Sequence, residues 1–472
     1  MLSRKHILAL LLVVMTLQCG MIKAQRQEIS YFFREIPQTS FGNPAMTSTN
    51  NFYFSVGAGN FMPGFSTSGL CYHDLIHTHP VYPDSLQIDV AGFSSKLKNN
   101  NRIILGCDVD ILAFGFRVGK NFFSYDMSFV MDGRLSFSKG IFDLLMYGTD
   151  VASGEAALFD GELIDYTAYL SNSFGYAREI NDRLTIGVRA KVLNGLVNVN
   201  TQRANVRLLF NEQDEINAEC DLDIRTSNIA GNVVISSVTQ EEATQEFNVE
   251  AYQKMLEGAA DNIGFAFDLG ATYRINDAME VSLSINDLGF INWKSHCQSV
   301  VSVNPGSQVS FEGISASIDE FGNSFEQYFS DIVDSLKTAF DIHTVESSSY
   351  RTSTPMKIRA GYSWRFANNN FLHALASCKL SDGGHFEPAA SLFYGFHSKY
   401  FTFSAGNTFN SASAFNPSFL MNCHSGVFDF HFGTTLDIAR GVSFNVADLS
   451  GVSFIVGANI AIGSRPYWKK ID

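Results

Sequence analysis

Large apolar residues at every second position, small or charged ones between them, then a polar turn: this grammar recurs in seven or more stretches of the chain. The run Leu184 to Val192 shows it most clearly. Leu184, Ile186, Val188, Ala190 and Val192 share one parity, and Thr185, Gly187, Arg189 and Lys191 share the other. Successive side chains of a strand point to opposite faces, so each run is a ribbon with one oily and one wet side. A soluble β protein of 472 residues would divide such ribbons among several sandwiches, yet no Pro-, Gly- or Ser-rich linker separates any. The number, length and aromatic richness of the runs point instead to one sheet closed on itself, its oily face turned to lipid.

The amino terminus has the pattern of an export signal. Arg4 and Lys5 are followed by an apolar stretch from Ile7 to Leu17, broken only by Thr16, and by a cleavage point after Ala24. Residues 1–24 are therefore expected to be a signal peptide, and Gln18 before Cys19 does not fit lipoprotein processing. That stretch is shorter than the about 20 residues a spanning helix needs, and no later one reaches that length. A chain of this kind can cross a membrane only as strands that close, leaving no backbone group orphaned in lipid. Without Arg4, Lys5 and Lys23 the chain keeps 30 basic and 47 acidic residues, a net charge of about −17, which argues against nucleic acid or anionic membrane surfaces as partners. The six remaining cysteines (Cys71, Cys107, Cys220, Cys297, Cys378 and Cys423) show no Cys-x-x-Cys spacing.

Turns divide the runs into strands. Short ones fall at Gly119-Lys120-Asn121, Glu179 to Asp182, Asn276-Asp277, Ala367 to Asn370, His397 to Lys399 and Ala439 to Gly441. Longer connections cover roughly 59–102, 139–164, 201–261, 291–355 and 410–425, with a brief one near Ser381 to His385. Short turns at one end and long loops at the other mark outer-membrane barrels, whose short turns face the periplasm. The strands so defined are 52–58, 103–118, 122–138, 165–177, 183–200, 262–274, 278–289, 356–366, 371–380, 386–396, 400–409, 426–437, 441–448 and 452–464. The expectation is an all-β, transmembrane antiparallel β-barrel over 52–468 of about 14 strands, within 12 to 16, with long extracellular loops including one helix. The tally is soft at 103–118, where apolar parity changes, and at 441–464, which also reads as one bent strand.

The outer face is assigned by its aromatics: Phe123, Tyr125, Met127, Phe129 and Met131; Phe265, Phe267, Leu269, Ala271 and Tyr273; Ile358, Ala360, Tyr362, Trp364 and Phe366; Phe428, Phe430 and Phe432. Charges are costly towards lipid, so Asp126, Arg189, Lys191, Asp268, Glu280, Lys357 and Arg359 become the candidates for lining the lumen. Opposed signs there either orient a solute or pair to fill a closed interior, and pairing is the plainer reading. Residues 25–51, with the turn-forming Asn43-Pro44-Ala45, read as a periplasmic or plug segment. From Ser317 to Ile342, Phe321, Phe325, Phe329, Ile332, Leu336 and Phe340 are spaced as on one side of a helix, which would lie over the mouth or fold its loop onto the rim.

Several stretches resemble an exported outer-membrane barrel family of Bacteroidota, known as a domain of unknown function. They are Ser30-Tyr31-Phe32, Asn43-Pro44-Ala45, Asp74-Leu75-Ile76, Leu112 to Val118, Gly175-Tyr176 with Ile180-Asn181-Asp182, Asn286 to Trp293, and Tyr350-Arg351-Thr352 leading to Pro355-Met356-Lys357. More distantly the chain is similar to fourteen-stranded fatty-acid-transporter-like barrels and to barrel subunits of a secretion system. The resemblance implies a cell outer-membrane location and surrounding lipid, and says nothing of a catalytic site.

Chemistry-bearing clusters are sparse. His73, His77 and His79 beside Cys71 and Asp74 have ligand types suited to zinc, but Pro80 and Pro83 mark a loop without fixed geometry, and no metal is assigned. No Gly-x-Ser-x-Gly elbow, His-Glu-x-x-His or phosphate-binding glycine loop is present, so neither an enzyme nor a cofactor is expected. Two functions stay open: a channel or uptake barrel for a small, hydrophobic solute, and a barrel anchor whose large loops hold another protein.

Overall fold

In the computed structural model, residues 28–57, 59–78, 86–147, 158–210, 216–229, 257–308, 340–381, 385–398, 400–410, 413–439 and 445–464 are described. The signal peptide, and the helix expected at 317–342 but for its last three residues, lie outside them.

Fourteen antiparallel strands close into one barrel. They are β1 (Asn50–Val56, then Phe61–Thr67), β2 (Asn101–Val118), β3 (Asn121–Phe137), β4 (Ile164–Glu179), β5 (Leu184–Phe210), β6 (Ile216–Ser227, then Ile263–Arg274) and β7 (Met279–Trp293, then Gln298–Gln308). The second half adds β8 (His343–Glu346, Tyr350–Ser353 and Met356–Ala367), β9 (Asn370–Ser381), β10 (His385–His397), β11 (Phe401–Asn410), β12 (Asn416–Ser425), β13 (Phe428–Ile438) and β14 (Leu449–Ser464). Closure is made by β14 against β1, with Phe52 opposite Ile462 and Phe65 opposite Val452.

The count of fourteen arises from two offsetting differences from the sequence expectation. Asn416–Ser425, read as part of a long connection, is strand β12, entered through Pro417 and turned at Gly426, whose φ is 67°. Conversely, the described part of the strand expected at 441–448 is not extended: residues 446–448 form a 3-10 turn started by Asn445, whose side chain accepts from the Ala447 N–H, and 440–444 lie outside the described residues. Ala439 therefore belongs to the long-loop end, not to a short turn.

Burial is inverted relative to a soluble protein. On β13, Phe428, Phe430 and Phe432 are 51%, 55% and 47% exposed, while Asp429 and His431 between them are buried. The same alternation holds on β6, where Phe265, Phe267 and Leu269 face out and Asp268 is fully buried. Rings on the outer face meet across neighbouring strands, as Phe116 with Phe123 at 5.5 Å and Phe123 with Tyr176 at 5.3 Å. A soluble fold would place these side chains inside, each gaining about 1.5–3 kcal/mol from burial. An apolar belt of this extent is stable only against hydrocarbon.

Two irregularities explain the parity changes. On β2 the register slips between Asp110 and Leu112, so Ile111 is an extra residue: Ile104 and Asp110 face in before it, Ala113 and Gly115 after it. The slip lies opposite the break in β1 at 57–60, where Gly57 adopts φ 65° and donates to the Ile111 carbonyl at 2.8 Å. On β7, Asp287 takes φ 58°, a left-handed conformation that Asp tolerates, opposite a slip at Phe267/Leu269. Asn286 and Asp287 are thereby both drawn inward.

Candidate functional site

Residues 28–49 lie inside the barrel, towards its short-turn end. Ile29, Tyr31, Phe32, Phe33, Ile36 and Met46 form a core with the inward Met62, Leu375, Phe393, Leu420 and Ile455. The wall holds this inner segment polar group by polar group. Arg34 pairs with Glu280 at 2.8 Å, Gln38 and Asn459 exchange two hydrogen bonds at 2.6 and 3.2 Å, and Ser284 donates to the Gly42 carbonyl at 2.9 Å. Asn286 donates to the Phe41 carbonyl at 3.1 Å, and His397 meets Glu35 at 2.9 Å.

The Asn43-Pro44-Ala45 turn has a seat of its own. Gly187 of β5 and Gly270 of β6 face each other in register, and a Cβ on Gly187 would stand 2.4 Å from the Pro44 carbonyl carbon. One on Gly270 would stand 2.1 Å from the Asn43 side-chain oxygen. Only the bare backbone of two adjacent glycines lets the turn approach this closely. Within the turn, Ala45 N–H donates to the Asn43 side chain at 3.0 Å, which in turn donates to the Tyr31 hydroxyl at 3.0 Å.

The sequence-derived charges fall into three groups. Asp126, Arg189, Asp268 and Lys191 form a chain of alternating sign: Arg189 pairs with Asp126 and, at 3.8 Å, with Asp268, and Lys191 pairs with Asp268 at 2.8 Å. Asp287 continues it, 2.5 Å from Lys191 and 3.7 Å from Lys357. Phe41 of the inner segment covers it, its ring 4.4 Å from the Arg189 guanidinium. Glu280 is taken by Arg34. Lys357 and Arg359 alone among the seven candidates border open space. Asp287 escaped the sequence reading because its inward position depends on the β7 bulge; Leu288, outward on the parity that Glu280 and Ser282 hold inward, was the signal.

That space is a cavity of about 220 Å³ above the inner segment, its charged lining being Lys98, Arg102, Lys357, Arg359, Lys379, Glu28 and Glu387. Lys379 pairs with Asp132 at 2.8 Å, and Arg359 donates to Asn286 at 3.0 Å. Among the described residues Lys98 and Arg102 have no carboxylate within ion-pair distance. Ile104 and Ala389 are its inward apolar side chains. Asn100 and Arg102 also border a wider polar recess of about 760 Å³ towards the long-loop end, with Asp160, Glu162, Gln202 and Arg351. Glu28, 5% exposed, reaches up from the inner segment and accepts from Ser377 and, at 3.3 Å, from Ser391. Burial pushes its carboxyl above the ordinary 4.5, against those hydrogen bonds and the nearby Arg359 charge.

Beyond the rim, the outer parts of β5, β6, β7 and β8 continue as a small sheet with a core of its own, including Phe159, Val199, Leu222, Ile224, Val300 and Phe340. The histidine loop resolves into pairs: His73 meets Asp448 at 2.9 Å, His77 approaches Asp89 at 3.9 Å, and His79 lies outside the described residues. No described group of three or more His, Cys, Asp or Glu side chains has a metal-binding arrangement, and the six described cysteines are free thiols.

The sequence profile of a family of unknown function, DUF5723, matches residues 44–435. Solved structures similar to the chain include the toluene transporter TbuX of Ralstonia pickettii, at 9% identity and TM-score 0.45, covering 90% of this chain and 94% of that one. The P. putida toluene transporter TodX gives 9% and 0.42 over 91% and 95%, and a Pseudomonas aeruginosa FadL homologue 11% and 0.45 over 94% and 99%. At such identities and scores the likeness is one of barrel shape and carries no inference about cargo. No curated protein matches the chain.

Proposed function

We propose, for a chain that belongs to the family of unknown function DUF5723, an outer-membrane uptake barrel in which a small solute enters at the long-loop mouth and is held above an internal plug. The observation that carries this reading is the cavity of about 220 Å³, joined through Asn100 and Arg102 to the wider recess and floored by the inner segment. The polar interior explains how a solute can leave water without losing hydrogen bonds, and the apolar belt supports surrounding lipid as the barrel's solvent. With Ile104 and Ala389 as its inward apolar side chains, the cavity narrows the expected hydrophobic solute to an amphiphilic one, polar at one end. Passage requires the plug to shift, since residues 28–49 fill the short-turn half.

Influx of a panel of small radiolabelled solutes (alkanols, sugars, amino acids, aromatic acids) into vesicles holding the purified chain tests the reading. At least one solute is expected to enter faster than into protein-free vesicles. Uniform background influx for the whole panel would overturn it.

The lobe beyond the rim favours the second reading, an anchor that binds a protein partner, because a separately cored sheet exceeds what a passage needs. Cross-linking in intact cells is expected to capture one discrete partner at that lobe; its absence would remove this reading while leaving the first.

A further inference from the structure

Five cationic side chains and two carboxylates border the cavity, and one of the acids has been brought to it from a different part of the chain. Glu28 belongs to the inner segment, not to the wall, and its carboxylate is seated in a cradle that wall residues supply. Ser377 of β9 and Ser391 of β10 both donate to it, and Thr408 of β11 supports Ser391 at 2.9 Å. Arg359 and Lys357 of β8 border the same cavity and lend positive charge at longer range. Two hydroxyl donors on one carboxylate, with the Arg359 guanidinium bordering the same cavity, make a seat suited to a planar anion. An internal carboxylate is not needed to hold the segment in place, because Arg34, Gln38, the Asn43 turn and the aromatic core already do so at the opposite end.

The inner part of the approach to the cradle also carries positive charge. Arg102 borders both the recess and the cavity, and Lys98 stands beside it with its ammonium donating to the Ser68 carbonyl at 2.9 Å. An anion moving inward passes these two cations first and then meets Arg359 and Lys357. The volume of about 220 Å³ equals that of roughly seven waters, enough for a small organic acid and too little for a long flexible one.

Resting on the uptake reading above, we infer that the cavity is a receptor for small organic carboxylates, and that the Glu28 side chain occupies their head-group position until one displaces it. Glu28 is thus a tethered competitor: arrival of the ligand frees the upper end of the plug. In chemical terms one carboxylate replaces another on Ser377 and Ser391, beside Arg359, and no covalent bond is made or broken.

Benzoate is the probe, with benzamide as its neutral isostere and inorganic phosphate as a non-carboxylate anion, titrated calorimetrically into the full chain in detergent. Glu28→Gln is expected to bind benzoate at least ten-fold more tightly than the unaltered chain, benzamide affinity moving less than two-fold. Arg102→Gln, at the half-buried mouth, is expected to weaken benzoate binding three-fold or more. The gel shift between unheated and boiled samples verifies that each variant keeps its barrel. Equal benzoate affinity with and without Glu28 overturns the inference, as do equal gains for benzamide or a preference for phosphate. No benzoate binding by either protein overturns it as well. The uptake reading is judged separately by the solute panel, so influx of any solute without a Glu28 effect sinks this inference and spares that reading.

Discussion

Adding one methyl group at Gly187 should unseat the plug while sparing the barrel. The new Cβ would sit 2.4 Å from the carbonyl carbon of Pro44, 2.5 Å from its oxygen and 2.6 Å from the Ala45 nitrogen, where ordinary contact begins at 3.4 Å. All three atoms are backbone, so no side chain can swing away; the turn itself must retreat by about 1 Å. Overpacking of this kind costs about 1–3 kcal/mol, which lowers the seated population relative to the unseated by about 5- to 150-fold. Hydrogen exchange of the reconstituted protein reads this at the amides that close the inner turns: Asn43 to the Thr39 carbonyl, Met46 to the Asn43 carbonyl and Thr49 to the Arg34 carbonyl. Their protection should fall by that factor in Gly187→Ala, while amides of β10 keep theirs. Ala190→Val, on the same strand but facing out, should change neither set. Protection at the inner turns within two-fold of the unaltered chain, with the barrel intact, would refute the claim that the glycine pair seats this segment.

Other outcomes follow from the charges. Asp268→Asn removes the shared acid of Arg189 and Lys191 and should lower barrel stability in urea by about 3–5 kcal/mol; a midpoint shift equivalent to less than 1 kcal/mol would count against the buried chain. Glu280→Gln should remove the ion pair that ties Arg34 to the wall and raise exchange at Thr49 without altering the amides of β13. The raised Glu28 carboxyl makes plug seating firmest below its ordinary 4.5 and progressively weaker as pH rises through the elevated value, because only the unfolded chain ionises readily. Glu28→Gln should abolish that slope between pH 4 and 8, and an identical slope in both proteins would show that the carboxyl plays no part.

The sequence made the barrel readable because lipid outside and polar groups inside force period-two alternation on every spanning strand. Phe265, Phe267 and Leu269 betray their facing without any tertiary information. What failed were places where a local feature imitates or hides that period. Pro417 at the head of β12, without an N–H to donate, made 410–425 look like a loop, although Phe419, Met421 and Cys423 kept the outward parity. Val442, Phe444 and Val446 imitate a strand, but Asn445 starts a turn there and Val446 is exposed. Period-two alternation gives a charge a face but not a partner. That Arg189 meets Phe41, or that Glu280 is claimed by Arg34, depends on a segment over 140 residues away returning into the lumen. Gly187 and Gly270 were visible only as small inward residues, since their purpose is set by a turn that neither strand contains.

The central claim is that the oily flank of each strand touches hydrocarbon and the other flank touches protein. Two single-tryptophan chains in vesicles of bromine-labelled phospholipid test it, one carrying Phe267→Trp on the outer face and one keeping Trp293, which is buried in the wall and donates to Thr352 at 2.9 Å. Strong quenching at position 267 and little at 293 is the predicted result. Weak quenching at 267, or equal quenching at both, would contradict the arrangement on which the plug, the cavity and the uptake route all depend.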